Sequence, residues 1–166
     1  MSPKSKLPEP SDLAYCDTSS ARIIVCESTG RWAVALRREL GPLAAHLEET
    51  RSVIACWDRL AEVPESLIVA EVTTGNLERL LAKMARLESQ FPRARVVVVA
   101  DRRLADHEWL MREIGATMFV TSPRRLAPLA ELARRHLAAR SSQPSGVLER
   151  IWSELPWAEK AERQGP

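Results

Sequence analysis

Short apolar runs alternate along the chain with segments whose apolar residues recur at helical spacing. Residues 21–26, ARIIVC, read as a first strand, and 30–40, GRWAVALRREL, as a helix that Gly41-Pro42 stops. Residues 44–50, AAHLEET, make a weak second strand. The segment 52–63, SVIACWDRLAEV, predicts a helix capped by Ser52 and ended by Pro64. Residues 67–72, LIVAEV, are apolar enough for a third strand buried on both faces. One helix is expected over 76–91, with Asn76 as its cap and Leu77, Leu80, Leu81, Met84 and Leu87 on one side. The run ARVVVVAD, 94–101, is the strongest strand, because consecutive valines suit a sheet and suit a helix poorly. A short helix over 105–115, a fifth strand over 117–122 and a last helix over 123–140 complete the pattern, with Pro128 required to lie in a first helical turn.

This is a βα unit repeated five times with short connections. Right-handed crossovers then put helices on both faces of a parallel sheet. The predicted class is α/β: a flavodoxin-like, doubly wound, five-stranded parallel sheet in the order 2-1-3-4-5. Residues 20–140 form that domain. Residues 1–19, polar and rich in Pro and Ser, read as disordered, and 141–146, SSQPSG, as a linker. The tail 147–166 carries Val147, Leu148, Ile151, Trp152, Leu155 and Trp157, one face of a short amphipathic helix. So much apolar area is expected to dock, on its own domain or on another protein.

Composition narrows the setting. With 166 residues, 45% hydrophobic and 28% charged, the chain suits one globular domain with tails. It has no apolar run of membrane-spanning length and no signal-peptide core, so a cytoplasmic protein is expected. Cys16, Cys26 and Cys56, without a CxxC, read as reduced thiols, with no zinc site and no other metal or cofactor implied. A net charge of +2 does not by itself indicate nucleic acid. Four Arg-Arg pairs, at 37/38, 102/103, 124/125 and 134/135, are interleaved with acids and read as solvated faces. His46, His107 and His136 are scattered and read as surface or helix-end residues.

The chemistry of interest lies at strand ends. In IIVCESTGRW, 23–32, Cys26 and Glu27 meet a Ser/Thr/Gly loop, the kind of junction where α/β sheets hold ligands. Glu71 ends the third strand, and Ala100-Asp101 ends the fourth. In IGATMFVTSP, 114–123, Gly115, Ala116, Phe119 and Pro123 fall at the spacing of a receiver fifth strand. On these residues the chain resembles response-regulator receiver domains, over about 21–140. The resemblance implies a place in two-component signal transduction. It puts a phosphoacceptor aspartate at position 71, acids at 26–27 that hold Mg²⁺, a hydroxyl at 100 and a lysine at 122. The chain has Glu71, Cys26 and Glu27, Ala100 and Ser122 there. Glutamate is one methylene too long for in-line transfer, and positioning carries most of that catalysis. The expectation is a stand-alone pseudo-receiver that is no enzyme, with a degenerate pocket of Cys26, Glu27, Ala100, Asp101 and Ser122. Glu27, Glu71 and Asp101 are expected to be solvated carboxylates, with a residual Mg²⁺ or Ca²⁺ site as the other reading. A fixed phosphate-like charge at Glu71 is a further reading.

Flavodoxins share this fold, and Thr29-Gly30 partly matches their phosphate loop. The alternative is therefore a flavin- or phosphate-ligand-binding protein using the loop 27–31. The receiver resemblance also implies a partner or homodimer face containing Trp109, Met111, Arg112, Phe119, Arg124 and Arg134. Trp and Arg suit such contacts. The functional expectation is a signalling adaptor with a protein partner, without nucleic acid or membrane.

Overall fold

A computed structural model describes residues 21–141. The expected disordered start, the tail with Leu148, Ile151, Trp152, Leu155 and Trp157, and the expected linker apart from Ser141, which ends the last helix, lie outside the described residues.

Five strands, β1 (Ile23–Cys26), β2 (Leu47–Thr50), β3 (Leu67–Val72), β4 (Arg95–Ala100) and β5 (Ala116–Val120), form one parallel sheet in the order β2-β1-β3-β4-β5. Among the described residues six α-helices surround it: α1 (Arg31–Leu40), α2 (Val53–Glu62), α3 (Leu77–Met84), α4 (Leu87–Gln90), α5 (Glu108–Glu113) and α6 (Ala127–Ser141). This is the doubly wound architecture that the alternating pattern predicts. The apolar run of β3 is buried at every position, as a central strand between helical layers requires.

Alternation along the strands divides the core in two. Ile24, Cys26, Ile68, Ala70, Val96, Val98 and Ala100 point to one face, packed with α2, α3 and α5 through Trp57, Leu80 and Met111. Ile23, Val25, Leu67, Val69, Val97 and Val99 point to the other, against Trp32 and Leu36 of α1, Leu126 just before α6, and Leu129 and Ala133 of α6. Glu27 and Glu71 stand one residue beyond the paired Cys26 and Ala70, so adjacent strands deliver them side by side.

Local signals place most boundaries. Ser52 caps α2, its hydroxyl accepting from Ala55 N at 3.1 Å. Gly41 ends α1 with a positive φ, and Pro128 falls in the first turn of α6. Three expectations are corrected. The helix over 76–91 is broken after Met84, where Arg86 N turns to the Lys83 carbonyl and re-aims Leu87 into the core. Asn76 does not cap α3: its amide accepts from Thr73 N and donates to the Glu71 carbonyl, both at 2.8 Å. The segments before β2 and α5 are 3-10 turns, Gly41–His46 and Arg102–His107.

Candidate functional site: an arginine-filled acidic pocket

The pocket at the carboxyl ends of β1 and β3 is built by the turn Glu27–Arg31. Gly30 adopts φ 85°, a left-handed conformation that costs glycine little, and α1 starts directly after it. The tight entry lets Glu27 reach back over the first turn. Its carboxylate accepts from Trp32 N at 2.9 Å and Ala33 N at 2.6 Å. Glu27 is only 2% exposed. It is an internal anion at the helix N-terminus, where free N–H groups and the helix dipole favour negative charge.

Glu71 is 4% exposed and hydrogen-bonded on both oxygens. Oε2 accepts from Ser28 N and Ser28 Oγ, each at 3.1 Å. Oε1 accepts from Arg31 Nη2 at 2.8 Å and from Trp32 Nε1 at 3.2 Å. Arg31 continues outward, with Nη1 on Asp101 Oδ1 at 2.9 Å and its guanidinium over the Trp32 ring at 5.2 Å. The hydrogen bond to Asp101 foremost raises the Arg31 pKa; burial opposes the shift and Glu71 adds to it. Arg31 therefore stays charged between two carboxylates.

The sequence expectation of solvated carboxylates is thus overturned for Glu27 and Glu71, which are buried and fully engaged. Asp101 is the exposed member. A buried carboxylate needs hydrogen bonds or a counter-charge, and this turn supplies both.

The residues expected in one pocket separate. Cys26 and Ala100 point to the α2–α5 face, away from Glu71. Cys26 meets Cys56 instead. A hydrogen bond from Cys56 foremost lowers the Cys26 pKa, outweighing burial and the Glu71 and Glu27 charges, while Cys56 is pushed up by the same bond and by burial. Both thiols are free and buried. Ser122 is bonded within its own turn, accepting from Arg124 N through Oγ and from Arg125 N through its carbonyl. With neither Ala100 nor Ser122 touching Glu71, and with Arg31 neutralising it, a fixed phosphate-like charge at Glu71 has no support.

The proposed partner face also divides. Trp109 is 73% exposed, and Arg112 and Arg124 are exposed. Met111 and Phe119 belong to the core, because they point inward from α5 and β5 to cover the sheet. Arg134 donates to the Glu39 carbonyl and so ties α6 to α1. His136, expected at the surface, is buried with Nε2 2.6 Å from the Glu65 carbonyl oxygen.

Two ligand classes can be tested against this geometry. A divalent cation wants several free carboxylate or carbonyl oxygens. Here both Glu27 oxygens face α1 N–H groups, both Glu71 oxygens hold donors, and a guanidinium stands between Glu71 and Asp101. The residues do not fit a Mg²⁺ site, and no group of three or more metal-ligating side chains occurs among the described residues. A phosphate ligand would need the N–H groups of the 27–31 turn. Those of Trp32 and Ala33 are taken by Glu27, and that of Ser28 by Glu71. An open groove of about 660 Å³ runs outside the turn, lined by Gly30, Val34, Arg38, Glu49 and Arg51 among others.

Comparison with known proteins agrees with the fold. No protein-family profile and no curated protein matches the chain. Among solved structures, a response regulator from Thermotoga maritima is similar, with a TM-score of 0.56 and 18% identity, covering 72% of this chain and 98% of that one. The chain has a receiver-like, flavodoxin-like fold. No described helix is long and apolar enough to cross a membrane.

Ser28 and Arg31 fall in the loop 27–31 that the sequence marks out, but it does not reveal that they and Trp32 bind Glu71. Two acids at neighbouring strand ends demand a counter-charge, and the first basic residue after Glu27 is Arg31. That demand was the available signal.

Proposed function

We propose that this protein is a receiver-like signalling module that takes up no phosphoryl group and acts through protein contacts. The observation that carries the reading is the Glu71 carboxylate, buried and holding four hydrogen bonds from Ser28, Arg31 and Trp32. A nucleophilic carboxylate needs a free oxygen in line with the donor and cationic groups on the transferring oxygens. At Glu71 the cation is bound to the carboxylate itself. The hydroxyl and the lysine that the receiver resemblance implies at positions 100 and 122 are Ala100 and Ser122. With no reaction to perform there, the surface remains as the means of action. Trp109 and the arginines near it support a protein-contact role.

The test is intact-mass measurement after incubation with Mg²⁺ and acetyl phosphate. The expected result is an unchanged mass. A stoichiometric phosphoryl adduct that disappears in Glu71→Gln would contradict the proposal.

A further inference from the structure

The four Arg-Arg pairs look alike in sequence, but the fold treats them differently. Arg37 pairs with Glu49, and both Arg134 and Arg135 pair with Glu131. Arg102 and Arg103 follow β4, and Arg124 and Arg125 follow β5. All of these last four are exposed, and none forms a side-chain hydrogen bond or ion pair among the described residues. β4 and β5 run parallel, with Val99 opposite Val120, so both segments leave the same edge of the sheet beside each other. The first segment then continues to the α2–α5 face through Leu104 and the second to the α1–α6 face through Leu126, so the two pairs flank the β4–β5 end of the sheet as a basic rim. Of the carboxylates in these segments, Asp101 is held by Arg31, which leaves Asp106 against four guanidinium groups. Trp109, 73% exposed, lies two residues beyond the first segment.

We propose that this rim, Arg102, Arg103, Arg124 and Arg125 with Trp109, docks an acidic segment of a partner protein. The inference rests on the protein-contact reading above and gives that contact its place and chemistry. Clustered like charges repel, and a carboxylate-rich partner removes that cost. Guanidinium forks match carboxylates in pairs of hydrogen bonds. Trp109 adds an apolar anchor beside the charges. The rim is short and the chain carries only +2 overall, which favours a peptide over the long phosphate track of a nucleic acid.

The experiment is fluorescence anisotropy with the full chain and two probes, a labelled oligoglutamate peptide and a labelled oligothymidylate. The peptide is expected to bind in a salt-sensitive manner. The double variant R102E/R124E should weaken it about tenfold or more, and Trp109→Ala should weaken it further. The variant R38E/R79E makes the same charge change at exposed arginines on α1 and α3 and should leave affinity within about twofold. Thermal melts of both variants check that folding is intact. Absence of peptide binding, equal losses in the two double variants, or tighter rim-dependent binding of the oligonucleotide would each overturn the proposal. None of these outcomes bears on the phosphodonor experiment, which judges the underlying reading separately.

Discussion

Arg31→Ala is expected to lower the unfolding free energy by about 2–3 kcal/mol. Removing one partner of a buried ion pair typically costs about 3–5 kcal/mol, because the other charge stays buried without compensation. The Arg31 side chain is 36% exposed, so water reaches the pair and the lower figure applies. Asp101 contributes little of it, since its side chain is 64% exposed. Most of the loss belongs to Glu71, whose side chain is 5% exposed. Urea denaturation measures the change. In a Glu71→Gln background there is no charge to strand, and Arg31→Ala should then cost about 1 kcal/mol or less. Equal costs in the two backgrounds would show that Arg31 stabilises by packing alone.

Trp32→Ala is expected to cost about 3–5 kcal/mol, the range for deleting a large buried aromatic side chain. Trp32 is 1% exposed and packs between the sheet and α6. It also carries the indole N–H that donates to Glu71. Trp32→Phe keeps most of the volume and removes the donor, so about 1 kcal/mol is expected. The difference between the two variants, read by urea denaturation, separates packing from the hydrogen bond. A loss in Trp32→Phe as large as in Trp32→Ala would mean that the polar contact dominates. No loss would mean that Ser28 and Arg31 satisfy Glu71 unaided.

The fold was legible because each of its determinants is local. The valines of β4, the Ser52 cap, the Gly41 stop and the gaps between apolar runs are read within a few residues of where they act. The site was legible only in position. That Glu27 and Glu71 stand at neighbouring strand ends follows from strand order, and the alternating pattern carries that order. What they bond to does not follow from it. Arg31 lies 40 residues from Glu71 in sequence, and its reach depends on the turn at Gly30. Pocket membership failed for a related reason: one residue along a strand changes the face, which sends Cys26 to Cys56 and Glu27 to α1. Met111 and Phe119 lie in the core and not on the expected surface, because short amphipathic elements do not reveal which side covers the sheet. The sequence makes Asn76 a cap, the commonest role of its type before a helix, whereas in the fold it braces the backbone of Glu71.

The central claim is that Arg31 serves Glu71 as the cation. The most direct measurement is a thermal melt of the full chain across a titration of MgCl₂ into the millimolar range, at constant ionic strength. A ligand bound only by the native state raises stability by about 2.7 kcal/mol at a hundredfold excess over its dissociation constant, so a real site would show. The predicted result is a melting temperature unchanged by Mg²⁺. A saturable rise that is abolished by Glu71→Gln would contradict it.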